Sequence, residues 1–324
     1  MKHKSYVFGV LGIFVFLFLL SDLCIWLIPH MYYGDIEYPY WEEQKDYITE
    51  GGKDNEILFM GDSVPKVGIL PDVISDKSYN ISIGGVTAIE MYYALNTYLK
   101  SNASPKKIFI AFSPIHYAHL EWFHTRTVYF HYLSFSEMME AEGVILNDED
   151  ILFYEKPGIL LDDIECFLRF PNKYYLTIRD SRLNRKALND EKYRLTREAK
   201  GRMYFPPVPD WKEEYEDNKY LKYGFKKRES IEYYLKKLLY LAGQNDIEVH
   251  IIQMPVNNLT YQSIKNSGYL ADFENYMQSL KNETGADIET KIPVYDSLYF
   301  DDQMHLSKQG AKIYSKFLKE KYKL

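Results

Sequence analysis

Short apolar runs, each followed by a stretch with helical spacing, limit the folds open to this chain more than any other feature. The runs occupy residues 56–61, 79–83, 107–113 and 246–253, with a shorter one near 292–295. Helical patterns follow over residues 64–76, 87–99, 230–243 and 261–283, and from 307 onward. Strands that are apolar throughout and alternate with helices are typical of a parallel sheet covered on both faces. The sequence therefore predicts a three-layer α/β/α domain.

The alternation of strands and helices stops over residues 117–225, which are aromatic and charged. A long segment leaving the end of a strand is expected at the carboxyl edge of the sheet, where α/β folds bind ligands. We therefore predict a mainly helical insertion or lid there. Residues 55–116 and 226–324 would form the α/β domain, which suits a chain of 324 residues.

The N-terminal segment predicts a membrane anchor. Tyr6 to Leu27 is apolar except for Ser21 and Asp22. A helix of about 22 residues spans roughly 33 Å, enough for a bilayer core. A cleaved signal peptide is the alternative, but the apolar run is long and no small-x-small site follows it.

Charges and neighbouring segments indicate how the anchor is oriented. Lys2 and Lys4 precede the apolar run, which predicts a cytoplasmic N-terminus and an extracellular remainder. Residues 1–28 would then hold the anchor, with 6–27 in the membrane. The aromatic and charged residues 29–54 are predicted to form a stalk. The net charge of −7 gives no reason to expect nucleic-acid binding.

The cysteine and histidine patterns give little support to a metal site. Cys24 and Cys166 are far apart, so no metal-binding cysteine pair and no disulfide framework is expected. Four of the eight histidines fall within one short stretch, but their spacing matches no standard zinc motif. They are His116, His119, His124 and His131. Aromatic residues are interleaved with them, which favours an aromatic lid or glycan platform. No metal and no cofactor is expected.

Two short motifs carry the chemistry. Gly61-Asp62-Ser63 directly follows the first predicted strand, and a strand-to-helix turn exposes a serine hydroxyl. Taken alone, such a serine is as typical of a helix cap. Asp302 and His305 precede the last predicted helix, three residues apart. That spacing lets the carboxylate orient an imidazole that removes the serine proton.

Together the two motifs resemble the first and last sequence blocks of the SGNH/GDSL hydrolases. The last block here is Asp302-x-x-His305-Leu-Ser-x-x-Gly310. The resemblance implies Ser63 as nucleophile, His305 as general base and acid, and Asp302 as the residue that orients His305. It covers about half of the chain, and the insertion matches no family pattern.

The middle blocks of that family are only partly present. Asn80-Ile-Ser-Ile-Gly-Gly85 resembles the second block, whose glycine N–H joins that of the serine in the oxyanion hole. Gly85 is the better match and Gly84 the second. The third block normally supplies an asparagine, which this chain lacks; Ser113 or His116 would have to replace it.

A strand that ends in Ser-Pro before an aromatic-rich insertion resembles a narrower set, the anchored SGNH-like proteins of cell-envelope acyl transfer. That set includes teichoic-acid D-alanylation and alginate O-acetylation proteins. The resemblance implies transfer of an acetyl or D-alanyl group through acyl-Ser63 to a surface polysaccharide or teichoic acid, beside a membrane-bound O-acyltransferase. A surface esterase or deacetylase is the first alternative. A non-catalytic anchored glycan-binding or scaffold protein is the second.

Overall fold

A five-stranded, all-parallel sheet forms the centre of the protein, with the strand order β2-β1-β3-β4-β6. The computed structural model describes residues 2–27, 30–120, 122–168, 184–212 and 219–324. The sheet strands are β1 Ile57–Gly61, β2 Ser78–Asn80, β3 Lys107–Ala111, β4 Glu248–Ile251 and β6 Asp287–Ile288. A separate parallel pair is formed by β5 Val256–Asn257 and β7 Val294–Tyr295.

Helices cover both faces of this sheet. The helices before β3 in the chain are α1 Lys2–Trp26, α2 Tyr38–Thr49, α3 Ser63–Gly68, α4 Pro71–Ile74 and α5 Ala88–Ser101. The described helices of the predicted insertion are α6 Phe135–Ile145, α7 Lys156–Leu168, α8 Arg185–Glu198 and α9 Lys219–Lys222. The last are α10 Glu229–Gln244, α11 Asn258–Asn266, α12 Tyr269–Thr284 and α13 Lys308–Tyr322. Short helical turns occupy His30–Tyr32, Pro114–Tyr117, Phe123–Val128 and Ser297–Tyr299.

The alternation of side chains along β1 builds the core on both faces. Leu58 and Met60 belong to one buried cluster, which includes α5, α10 and α12. Ile57 and Phe59 belong to the other, which includes α13. Because successive side chains on a strand point to opposite faces, an apolar run throughout is what a sheet covered on both sides requires. The predicted α/β fold with a parallel sheet is therefore confirmed.

Gly61 ends β1 where the backbones of β1 and β3 lie closest. Its partner in the ladder is Ala111, and a Cβ on Gly61 would overlap the carbonyl oxygen of that residue. Its φ of 151° is also one that L side chains rarely adopt. This position requires glycine, so the chain can turn sharply into α3.

Two strand and cap predictions differ from the structure. The run near 292–295 supplies β7 of the small pair, whereas the fifth strand of the main sheet is β6. With only two residues, β6 is too short to produce an apolar run. The helix predicted over residues 230–243 ends one residue later, at Gln244, and its C-cap is Asn245.

The predicted stalk is a second difference. Residues 38–49 form α2, and Tyr38, Trp41 and Ile48 are buried in the larger core cluster. Glu43 and Gln44 are also buried, with Tyr79 and Tyr132 as hydrogen-bond partners. Because these polar residues lie on the buried face of α2, the sequence shows no apolar helical pattern there. Residues 29–54 were therefore wrongly expected to be a stalk separate from the domain.

The insertion is tied into the domain at its start. Phe123, Val128 and Leu133 are buried in the same core cluster as the sheet. Thr127 donates a hydrogen bond of 2.6 Å to Glu90, which with Thr87 forms the N-terminal capping box of α5. The first part of residues 117–225 is therefore core, and helices α6 to α8 follow it.

The N-terminal helix α1 carries exposed apolar side chains, for example Phe8 at 71% and Phe14 at 68% exposure. Within the described ranges, none of the helices combines the length and the hydropathy that a membrane span requires.

Candidate active site

Ser63 is the first residue of α3 and directly follows the carboxyl end of β1. Asp62 precedes it as the N-cap, and its Oδ1 accepts a hydrogen bond of 2.8 Å from the N–H of Val64. The half-buried Ser63 hydroxyl therefore lies at the carboxyl edge of the sheet, where parallel sheets hold their ligands.

Ser63, His305 and Asp302 form one chain of hydrogen bonds. The Oγ of Ser63 lies 2.9 Å from Nε2 of His305. The opposite ring nitrogen, Nδ1, lies 2.8 Å from Oδ2 of Asp302. The predicted contacts among the two motifs are therefore present, although 242 residues separate Ser63 from His305 in sequence. In this geometry the imidazole can take the serine proton while the carboxylate fixes its orientation.

The Asp302 carboxylate is held in its charged form. Its burial alone would raise its pKa, but the hydrogen bond and the charge of His305 and the N–H groups of Met304 and His305 hold the pKa below its usual value. Those two N–H groups donate to Oδ1 at 2.8 and 2.7 Å. An ionised partner is what stabilises a positively charged imidazole.

The turn at Gly84 and Gly85 lies beside the serine. A Cβ on Gly84 would lie 3.8 Å from the Cβ of Ser63. Within the described part of the chain, the N–H groups of Ser63, Gly84 and Gly85 donate no hydrogen bond to the rest of the protein. These three groups are therefore available to an oxyanion beside Ser63.

Ser113 and His116 both contact Asp62. The Oδ2 of Asp62 accepts hydrogen bonds from the Ser113 N–H at 2.6 Å and from its hydroxyl at 2.7 Å. The Nδ1 of His116 lies 2.6 Å from the same oxygen. Both side chains are therefore committed to the carboxylate next to the nucleophile. The predicted oxyanion role of Ser113 or His116 stays a prediction beside these observed contacts.

Asp62 is fully buried and ionised. Burial opposes its charge, but the hydrogen bonds and charge of His116 and the two hydrogen bonds from Ser113 outweigh that effect and lower its pKa. Sequence analysis gave Asp62 no role of its own. Its position between Gly61 and Ser63 was the available signal, since a serine turn needs an N-cap.

Glu37 is a further residue that sequence analysis missed. It is 5% exposed, and its Oε2 lies 2.9 Å from where a Cβ on Gly84 would be. Among the described residues no hydrogen-bond partner reaches that oxygen. Burial raises the pKa of Glu37, and Arg126 and Lys66 oppose this in part. A buried carboxyl group without a donor beside the nucleophile can receive a polar group of a substrate.

The insertion reaches the site at two points. A Cβ on Gly85 would overlap the ring of Trp122, so this indole covers the glycine turn. The ring of Phe205 lies 4.7 Å from that of His305. The segment around Phe205 is fixed by main-chain bonds from Met203 to Lys66 and from Val208 to Asp301. One aromatic side chain of the insertion therefore lies on the glycine turn, and another lies against His305.

An apolar cavity of about 40 Å³ is lined by residues that neighbour the catalytic residues in sequence. Val64 and Met304, the neighbours of Ser63 and His305 in sequence, form part of its wall. The ends of β3 and β4 supply most of the remainder, including Phe112, Ile115, Met254 and Pro255. This lining suits an apolar substrate group more than a charged one.

The four clustered histidines do not converge on one point. His116 contacts Asp62, His124 contacts Asp163, and His131 contacts the carbonyl oxygen of Phe167. His119 lines a surface depression with Arg228 and Asp148. Their proximity in sequence therefore reflects no shared site.

Comparison with known proteins adds little to the geometry. The model of an uncharacterised protein family matches residues 178–323, which include Asp302 and His305 but not Ser63. No curated protein matches the chain.

Proposed function

We propose that this chain is an SGNH/GDSL-type serine enzyme that transfers an acyl group, through Ser63, to a surface polysaccharide or teichoic acid. The observation that carries the proposal is the unbroken chain of hydrogen bonds from Ser63 through His305 to Asp302. A loop serine that served only as a helix cap would need neither partner. The proposed acyl group is acetyl or D-alanyl.

The proposed reaction has two halves. The Ser63 oxygen attacks the acyl carbonyl while Nε2 of His305 takes the serine proton. N–H groups of Ser63 and of the glycine turn stabilise the oxyanion. The acyl–oxygen bond of the donor then breaks, and His305 returns the proton to the leaving group. In the second half, an acceptor hydroxyl gives its proton to His305 while its oxygen attacks the acyl carbon. The bond between that carbon and the Ser63 oxygen then breaks, and His305 returns the proton to Ser63.

Transfer requires that an acceptor reach acyl-Ser63 more effectively than water does. Trp122 and Phe205 support this, because aromatic rings bind sugar rings and exclude water at the same time. The apolar cavity supports an acyl substrate. Glu37, which has no donor in the described part of the protein, supports a polar group on the donor or acceptor.

The anchored, extracellular location is also part of the proposal. It rests on the apolar sequence of residues 6–27 and the lysines that precede it. The exposed apolar side chains of α1 support burial against lipid or another membrane protein. We propose a membrane-bound O-acyltransferase as the partner that supplies the acyl group. An enzyme that takes its acyl group from such a partner benefits from being held beside it.

The test compares ester-linked acyl groups on surface polymers between wild-type cells and cells with Ser63→Ala. We expect the ester content to fall to the level of a deletion strain, because the nucleophile and its partners act as a unit. The matched control is Ser134→Ala, an exposed helix-cap serine in the insertion, which should leave the ester content unchanged. A rise in Ser63→Ala cells would indicate a deacetylase, and no change would indicate a scaffold.

A further inference from the structure

Three side chains of the insertion meet away from the catalytic residues. His124 lies in the helical turn Phe123–Val128, Glu142 in α6 and Asp163 in α7. One ligand atom from each lies within 4.8 Å of the other two. Nδ1 of His124 lies 2.7 and 2.9 Å from the two oxygens of Asp163.

Glu142 has no electrostatic compensation of its own. Its side chain is 0% exposed, and apart from the neighbouring Asp163 carboxyl group no hydrogen-bond partner reaches either carboxylate oxygen in the described part of the protein. Burying a carboxyl group destabilises the folded state unless a hydrogen-bond donor or a positive charge lies beside it.

Two other buried glutamates in the molecule have hydrogen-bond donors or a positive charge beside them. Glu90 accepts hydrogen bonds from Thr87 and Thr127. Glu43 accepts one from Tyr79 and lies 2.9 Å from Arg197. Glu142 instead faces a second buried carboxylate, with an imidazole on the far side. That arrangement is the one a cation would satisfy.

We propose that His124, Glu142 and Asp163 bind a divalent metal ion, with Zn²⁺ and Mn²⁺ as the best matches. One imidazole and two carboxylates are donors that both ions accept. Bonds of about 2.0–2.1 Å at tetrahedral angles place the ligand atoms of one zinc about 3.4 Å apart, so ligand atoms at the 4.8 Å limit would approach one another by about 1 Å on binding. The His124 side chain is 42% exposed, which leaves a route for the ion and room for a water ligand.

The bound ion would join three separate segments of the insertion. His124 is two residues from Trp122, whose ring covers Gly85. A metal ion that fixes the turn Phe123–Val128 would therefore also fix the indole at the glycine turn. The metal site does not depend on the proposed acyl transfer, and it can be tested whether or not Ser63 is a nucleophile.

The test measures metal binding to the full-length protein in detergent, after treatment with a chelator. Titration calorimetry with Zn²⁺ and with Mn²⁺ should show one saturable site in the wild type. Glu142→Gln and Asp163→Asn should each weaken binding at least tenfold. The control Glu140→Gln removes an exposed carboxylate on the same helix, paired with Lys237, and should bind as the wild type does.

A thermal melt provides a second measurement that does not depend on the variants. Metal should raise the unfolding midpoint of the wild type and of Glu140→Gln, and chelator should reverse the rise. Without metal, Glu142→Gln should melt no lower than the wild type, because it removes one of two facing carboxylates. The proposal is overturned if the wild type binds neither ion, or if Glu142→Gln and Asp163→Asn bind as tightly as the wild type. The two carboxylates would then simply share a proton.

Discussion

Asp62 is the residue that connects the turn before Ser63 to Ser113 and His116. It caps α3 through Val64, and it accepts two hydrogen bonds from Ser113 and contacts His116. These contacts link the end of β1, which leads into the nucleophile, to the end of its neighbouring strand β3. A buried carboxylate with this many donors is costly to remove, because each donor is left unpaired.

Replacing Asp62 should therefore destabilise the fold. We expect Asp62→Ala to lower the free energy of unfolding by about 3–5 kcal/mol, the usual result of breaking a buried charged pair. Asp62→Asn keeps one acceptor oxygen and should lower the free energy of unfolding by less. Denaturant unfolding followed by circular dichroism measures both. The control Asp72→Ala replaces an exposed side chain on α4 and should change stability little. An equal loss of stability in both alanine variants would contradict the role of Asp62.

The lowered pKa of Asp62 also predicts a dependence on pH. A carboxylate whose pKa is lower in the folded than in the unfolded state adds stability above its unfolded value, about 3.9, and loses it as pH falls through the folded value. The difference in the free energy of unfolding between the wild type and Asp62→Asn should thus be constant from pH 7 to about pH 5. It should shrink only below about pH 4. Unfolding curves across that range test this. A gap that already narrows at pH 6 would contradict it.

Two features of Gly85, its positive φ and its close contact with Trp122, are incompatible with a side chain. Its φ is 78°, and a Cβ would overlap the ring of Trp122. We expect Gly85→Ala to lower the rate of Ser63 acylation by about 10²–10³-fold, the effect of losing one oxyanion donor. Gly52→Ala is the control, since Gly52 has a similar φ of 84° with open space around it. Stopped-flow acylation by an activated ester measures both. Equal effects would mean that backbone strain alone is responsible.

At the scale of elements, the predicted insertion is the part that sequence described least well. Its first residues are core, whereas the segment around Phe205 lies against the catalytic imidazole of His305.

Phe205→Ala should weaken acceptor use without unfolding the protein. An aromatic contact contributes about 0.5–1.5 kcal/mol, so we expect kcat/KM for the acceptor to fall roughly two- to tenfold. The rate of Ser63 acylation should stay within a factor of two or so, because that step needs no acceptor. Tyr223→Ala removes an exposed ring, 81% accessible, and should change neither constant. A loss confined to acylation would place Phe205 with the donor.

The strands were predictable to the extent that each was a continuous apolar run. β1 and β3 were found almost to the residue, because both faces of each are buried. β6 was missed because two residues carry no pattern. α2 was missed because its inward face includes Glu43 and Gln44, whose partners lie far along the chain. Long-range hydrogen bonds of that kind leave no local periodicity.

The site residues also divide into those that a local motif predicts and those that only the fold brings together. Ser63, Asp302 and His305 were predictable because two short motifs contain them. Glu37 and Trp122 were not, since only the fold brings them to the glycine turn. Ser113 and His116 were predicted as oxyanion donors, but their contacts with Asp62 were not predicted, because Asp62 lay in a different motif.

At the scale of the whole molecule, the location of the domain decides which substrates it meets. If residues 6–27 span the membrane with Lys2 and Lys4 inside, everything after them is outside the cytoplasm. A reporter active only in the cytoplasm, fused after Leu324, should then be inactive. A reporter active only outside should function. Strong cytoplasmic activity would reverse the orientation and remove a surface polymer as substrate.

The central claim is that Ser63 is an activated nucleophile, and a fluorophosphonate probe tests it most directly. The full-length protein is incubated with the probe, and the labelled peptide is identified by mass spectrometry. We expect one label on Ser63 in the wild type, and a large loss of labelling rate in His305→Ala, with Ser134→Ala labelled as the wild type is. An unlabelled wild type, or labelling that His305→Ala leaves unchanged, would contradict the claim.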